Sequence, residues 1–194
     1  MSGKIKKVYI IPGFTHTAKH AGYSSIQRYC RKRGVDAQVV HIDWKNKTMS
    51  DYVEQFLEQY EKQSKTAVLG FSFGAMIATI AQQYAQADRL LLCSLSPYFK
   101  EDISKLKPAW KKSIGKNRVN NFQKHSFTAI AKQITAKTDI IAGDKEGREV
   151  MHRASQAHTF IKKSVLHVLP GVKHDIADKH YQQKIQQIIT EMTQ

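Results

Sequence analysis

Apolar positions along the 194-residue chain fall into two rhythms that alternate almost from the first residue. Ile5 to Ile11 is a short, continuously apolar and β-branched run closed by Pro12-Gly13, the pattern of a strand buried on both faces. From Ala21 to Arg33, Ile26, Tyr29 and Cys30 recur at i, i+3 and i+4, the period of a helix, and Gly34 ends it. Ala37 to Ile42 reads as a second strand. Ser50 is the expected N-cap of the next helix, with Asp51 and Glu54 in its first turn and Tyr52, Val53, Phe56, Leu57 and Tyr60 on one face. Thr66 to Phe71 is a third strand, Phe73 to Ala87 an Ala-rich helix and Arg89 to Leu95 a fourth strand.

The rhythm then breaks. Residues 97 to 137 contain no convincing strand, yet Trp110, Ile114, Phe122, Phe127 and Ile130 give them enough apolar surface to fold as short helices. So long a strand-free stretch inside an alternating pattern is usually functional, and it reads as an inserted lid. The alternation resumes with a strand over Thr138 to Ala142, a helix over Glu146 to Ile161, a strand over Val165 to Leu169 and a closing helix over Ala177 to Met192. Strand-helix repetition with short apolar strands predicts one α/β domain over residues 1–194: six mostly parallel strands, helices on both faces and the 97–137 lid within it.

Composition narrows the function classes. The formal charge is +15, which would suit nucleic acid, an anionic membrane surface or an acidic carrier protein. The basic residues are spread without a long run or a nucleic-acid motif, so nucleic-acid binding is not expected. They are densest in the lid, where Lys100, Lys105, Lys107, Lys111, Lys112, Lys116, Arg118 and Lys124 face only Glu101 and Asp102. No apolar run approaches the roughly 18 residues of a membrane helix, so stable membrane insertion is not expected. The apolar stretch behind the basic start is too short for a signal-peptide core, which makes the cytoplasm the expected location. In that setting the two cysteines, Cys30 and Cys93, are expected to be buried and reduced. The pairs His16/His20 and His174/His180 lack a third clear ligand, and no metal is expected.

The sharpest chemical signal is Gly70-Phe71-Ser72-Phe73-Gly74, a G-x-S-x-G match placed at the junction of a strand and a helix. Such a turn strains the backbone of its serine, needs small residues on both sides, and lifts the hydroxyl above the carboxyl ends of the strands. The following helix start favours developing negative charge there. A serine needs a base. Among nine histidines, His174 follows the sixth strand in Pro170-Gly171-Val172-Lys173-His174, on a loop leaving the same rim of the sheet. His152, His158 and His180 fall in helix patterns, His125 in the lid and His167 inside a strand. The carboxylate that would hold the imidazole in the right tautomer is expected to be Asp144, after the fifth strand and beside Gly143, with Asp43 as the outside candidate. Two backbone N–H donors should receive the oxyanion: Phe73, next to the nucleophile, and Phe14, where Gly13 permits close approach of backbone to substrate.

Ser72, Asp144 and His174 occur in the chain order nucleophile, acid, histidine, each after a different strand, and with Pro12-Gly13-Phe14 the sequence resembles the α/β-hydrolase family, especially its small single-domain serine hydrolases. The resemblance implies a reduced sheet without the family's usual first hairpin, in the order 2-1-3-4-5-6, with the lid between strands four and five. Many members have His-Gly where this chain has Pro12-Gly13, a difference that a backbone donor tolerates. The expected activity is two-step cleavage of a small acyl ester through an acyl-enzyme, with no cofactor and no set oligomeric state. The alternatives are a thioesterase or acyltransferase on the same residues, a catalytically idle hydrolase-like binding protein, and a protein recruited to anionic surfaces by its charge.

Overall fold

In the computed structural model, residues 4–61 and 65–194 are described; residues 1–3, the start of the basic N-terminal stretch, and residues 62–64 lie outside them. Six parallel strands form one sheet: β1 (Lys7–Ile11), β2 (Asp36–Val39), β3 (Thr66–Phe71), β4 (Arg89–Cys93), β5 (Lys137–Gly143) and β6 (Ser164–Leu169). Their spatial order is β2-β1-β3-β4-β5-β6, as the resemblance implied. The reversal between β1 and β3 is the point where an open parallel sheet splays its loops and forms a crevice.

The inner strands β1, β3, β4 and β5 are buried on both faces because both faces are covered, whereas the edge strands β2 and β6 are only partly buried. Val8 and Ile10 point into one core with Leu69, Leu91 and Ile141, beneath α1 (Ala21–Lys32) and α8 (Lys179–Thr193). Tyr9 and Ile11 point the other way, with Val68, Leu92 and Ile140, into the core shared by α2 (Met49–Gln59), α3 (Phe73–Ala81) and α7 (Arg148–Phe160). This is the period of two expected of a pleated strand. Among the described residues no helix is long and apolar enough to cross a membrane. Cys30 and Cys93 are buried free thiols, and burial pushes the Cys30 thiol up to about 12.

Residues between β4 and β5 form a 3-10 turn (Lys100–Lys105), then α4 (Pro108–Ile114), α5 (Lys116–Phe122) and α6 (Phe127–Ala131). Two acids tie this segment down. Asp102 accepts from the buried Arg153 guanidinium on α7 and from the Phe99 N–H at 3.0 Å, while the guanidinium lies 4.2 Å from the Phe127 ring centroid. Glu101 accepts from the Ser126 hydroxyl and from the N–H groups of Phe127 and Thr128, and these bonds hold its carboxyl below the usual carboxylate range against the pull of burial.

Several element boundaries differ from expectation, and hydrogen bonds explain two of them. The helix expected to start at Ser50 starts at Met49, because the Asp51 carboxylate accepts both the N–H and the O–H of Thr48, at 2.6 and 2.8 Å, and caps the turn there. Ser50 instead binds the Asn121 side chain and ties α2 to α5. The helix expected to run to Ala87 ends at Ala81, because the chain tightens into i→i+3 bonds and the Gln82 side chain accepts from the Ala87 N–H, turning the backbone toward β4.

Candidate active site

The carboxyl ends of β1, β3, β4, β5 and β6 lie side by side, Ile11 against Gly70, Phe71 against Cys93 and Gly143 against Leu169. The loops that follow these strands therefore share one rim. At its centre Ser72 sits between β3 and α3 with φ 57° and ψ −117°, a conformation that costs on the order of 1–3 kcal/mol for a residue with a side chain. The glycines on either side are required by backbone, not by side chains. A Cβ on Gly70 would lie 2.2 Å from the Gly74 carbonyl oxygen, and one on Gly74 would lie 2.1 Å from the Ile11 carbonyl oxygen.

The tight turn points the Ser72 hydroxyl at the β6 loop. Its Oγ is 3.0 Å from His174 Nε2 and 3.1 Å from Ser96 Oγ. The His174 ring leans on the Phe71 ring, with centroids 4.9 Å apart. Its other nitrogen, Nδ1, is 2.7 Å from Glu146 Oε2. A carboxylate can only accept, so Nδ1 carries the proton, donates to Glu146 and leaves Nε2 to accept from Ser72.

Glu146, not Asp144, stands behind the imidazole, which corrects the expectation drawn from the sequence. Asp144 continues the edge of the sheet: its N–H donates to the Leu169 carbonyl, and its Oδ1 accepts the Gly171 N–H at 2.8 Å. That leaves it a turn residue on the β6 loop. The chain then turns over residues 143–146, and Gly147 (φ 102°) delays the start of α7 to Arg148. Glu146, expected in the first turn of that helix, is instead folded inward. Its side chain is 0% exposed, and its Oε1 accepts from the Gly143 N–H at 2.6 Å and the Ser94 hydroxyl at 2.8 Å. Ser94 Oγ lies 2.7 Å from the buried Tyr181 hydroxyl, which donates to the Ile141 carbonyl. Burial, with the nearby Cys93 and Glu146, pushes the Tyr181 phenol well above its ordinary range, so it remains a neutral support. A buried carboxylate demands this kind of full hydrogen bonding. Asp43, the outside candidate, accepts from the Lys45 N–H in its own loop.

The two expected oxyanion donors flank the same space. The Phe73 N–H opens α3, and neither it nor the Phe14 N–H has an acceptor among the described residues. The rings of Phe14 and Phe73 lie 5.1 Å apart. The β1 loop carrying Phe14 is fixed on both sides of Gly13: its N–H donates to the Tyr23 hydroxyl at 2.8 Å, and its carbonyl accepts from the His16 N–H at 2.9 Å. On the far side, Arg118 of α5 donates to the carbonyls of Trp44, Lys47 and Ile114 and lies 5.2 Å from the Phe14 ring centroid. His16 packs against Phe71 as well, and burial with the neighbouring His20 and His174 lowers its pKa.

Ser72, His174, Phe14 and Phe73 open on a cavity of about 400 Å³. Its walls are Pro97, Tyr98, Leu106, Trp110 and Val150, and Lys105, Lys107 and Glu149 stand at its edge. Tyr98 links the wall together, lying 5.5 Å from Phe73 and 5.9 Å from Trp110. Burial and the Glu149 charge push the Tyr98 phenol up to about 12, so it too stays neutral. Sequence reasoning missed Glu146, Ser94 and Ser96. The available signals were Ser94-Leu95-Ser96 at the carboxyl end of the expected fourth strand, and a carboxylate just before a glycine.

No family model matches the chain, and no curated protein matches it by sequence. The fold does have known likenesses. Est1E from Butyrivibrio proteoclasticus superposes with a TM-score of 0.79 at 17% identity, covering 97% of this chain and 88% of that one. Alpha/beta hydrolase domain-containing protein 10 from mouse gives 0.79 at 13% identity, with 99% and 91% covered. An esterase from Pyrococcus furiosus gives 0.67 at 16% identity, with 99% and 82% covered. The chain has the α/β-hydrolase fold.

Proposed function

We propose that this chain is a serine hydrolase that cleaves carboxylic esters, with Ser72 as nucleophile, His174 as general base and acid, and Glu146 as the carboxylate that orients the histidine. One observation carries the reading: a single imidazole spans from the Ser72 hydroxyl, 3.0 Å away, to a fully buried carboxylate 2.7 Å away. A merely structural histidine has no need of a strained serine on one nitrogen and a buried carboxylate on the other. The likeness in fold to esterases supports the same reading, although a shared fold alone would not assign an activity.

The chemistry follows from the geometry. His174 Nε2 takes the Ser72 proton as Oγ attacks the ester carbonyl. The oxygen that becomes negative rests on the N–H groups of Phe14 and Phe73, donors worth about 3 kcal/mol each where measured in other hydrolases. Glu146 stabilises the imidazolium. Collapse expels the alcohol, which takes the proton from His174 and leaves an acyl group on Ser72. Water, deprotonated by His174, then attacks the acyl-enzyme and restores the serine. Ser96 Oγ, 3.1 Å from the nucleophile, holds the Ser72 hydroxyl in place between turnovers. Residues 97–137 act as the lid over the acyl pocket, whose aromatic walls favour an apolar acyl group.

A series of p-nitrophenyl esters of increasing acyl length tests this. A cavity of about 400 Å³ accommodates short and medium acyl chains. The expected result is saturable hydrolysis, with kcat/KM rising to an optimum at about four to eight carbons and falling beyond it. Release of nitrophenol no faster than in buffer, at every length, would overturn the reading.

A further inference from the structure

The edge of the cavity has an uncompensated charge. Lys105 and Lys107 both line the space that holds Ser72, both are exposed, and among the described residues no carboxylate lies within 4.0 Å of either. The acids that could neutralise them are occupied. Glu101 is turned onto the start of α6, and Asp102 onto Arg153, so neither acid of the 97–137 segment faces the mouth. Glu146 is held by His174, Ser94 and Gly143. Glu149 alone remains at the rim, in the first turn of α7, where the helix start already favours a negative side chain. The same cavity carries an apolar rail: Trp110, with 52% of its surface exposed, against Tyr98, against Phe73, the residue after the nucleophile. An aromatic rail that starts beside the nucleophile, in a cavity also lined by two exposed cations, fits a molecule that is apolar near the scissile bond and negatively charged elsewhere.

We propose that the site takes esters bearing a second, ionised acid group, whose charge is recognised by Lys105 and Lys107. This rests on the esterase reading above and narrows it to a substrate class. A low-dielectric wall beside exposed cations concentrates anions at the mouth and raises their rate of capture. The acid could sit on the acyl side or on the alcohol side of the ester, and two pairs of substrates separate these.

The first pair is the p-nitrophenyl monoester of glutaric acid against p-nitrophenyl valerate. The second is 3-carboxy-4-nitrophenyl butyrate against its 3-carbamoyl counterpart. At low salt, kcat/KM for the charged member is expected to exceed that for the neutral one about fivefold to tenfold in at least one pair, and the ratio should shrink toward one by about 0.3 M NaCl. Lys105→Gln/Lys107→Gln should remove the preference, and Lys105→Glu/Lys107→Glu should invert it. Lys162→Gln/Lys163→Gln lowers the net charge equally but lies before the first residue of β6, at the opposite rim, and should leave the ratio unchanged. A ratio at or below one in both pairs, a preference that survives the double glutamine change, or an equal loss in the remote control would each overturn the proposal. Turnover of the neutral esters reports on the esterase reading separately, so the two can fail independently.

Discussion

Ser72→Ala and His174→Ala are each expected to lower kcat for p-nitrophenyl butyrate by about 10⁶-fold, with the double variant falling no further. In the proposed mechanism the two side chains act as one device. Without the hydroxyl there is nothing to acylate, and without the imidazole the hydroxyl at 3.0 Å keeps its proton. The rate that remains comes from the oxyanion donors and from binding, which neither substitution touches, so a residual of about 10³ over the uncatalysed rate is expected to persist. Steady-state kinetics of the two single variants and the double variant measure this. Additive losses would mean that the two residues act in different steps.

Glu146→Gln is expected to cost about 10⁴-fold in kcat, whereas Asp144→Asn changes it by less than about threefold. The amide of a glutamine can present its NH₂ to Nδ1, which stabilises the tautomer with its proton on Nε2. That nitrogen then points a donor at Ser72 and cannot accept. The fold should survive the change, because the Gly143 N–H and the Ser94 hydroxyl still find an acceptor in the amide oxygen. Asp144 has no contact with the imidazole; its carboxylate accepts the Gly171 N–H, a bond that asparagine's oxygen can keep. Melting temperatures of both variants, read beside their kinetics, separate loss of chemistry from loss of structure. The opposite ranking, with Asp144 sensitive and Glu146 tolerant, would return the acid's role to the residue that the sequence had pointed to.

How far the sequence could be read depends on which physics decided each feature. The inner strands were legible because burial on both faces leaves a continuous apolar run, and Thr66–Phe71 coincides with its expected bounds. Ser72 was legible because the glycines at positions 70 and 74 answer to backbone sterics that act within a few residues. His174 stood out because its loop leaves the rim where the serine emerges. Glu146 was hidden for the opposite reason. Its place depends on a turn over residues 143–146, on the positive φ of Gly147 and on three partners, Ser94, Gly143 and His174, two of them distant in sequence. Asp144, directly after the strand, looked better by position alone, but its backbone is still paired to β6 and turns the side chain to the neighbouring loop. The same distinction explains the helix boundaries. Thr48 and Ser50 are both cap-forming residue types, and the spacing from Thr48 to Asp51 decided between them.

The support behind Glu146 extends the site across the sheet. Ser94, on the loop after β4, and Tyr181, on α8, form with the carboxylate and the imidazole a chain of contacts from the far core to the Ser72 hydroxyl. A histidine that must swing between accepting and donating a proton keeps its alignment only if its partner cannot move, and a carboxylate with every oxygen engaged meets that need.

The central claim is that the residue 72 hydroxyl is an activated nucleophile. Intact-protein mass spectrometry after exposure to a fluorophosphonate, followed by peptide mapping, measures that activation without assuming any substrate. The account predicts one phosphonate per chain, carried by the peptide containing Ser72, and none on His174→Ala over the same time. A folded wild-type protein that takes up no label, or takes it up at another residue, would contradict it.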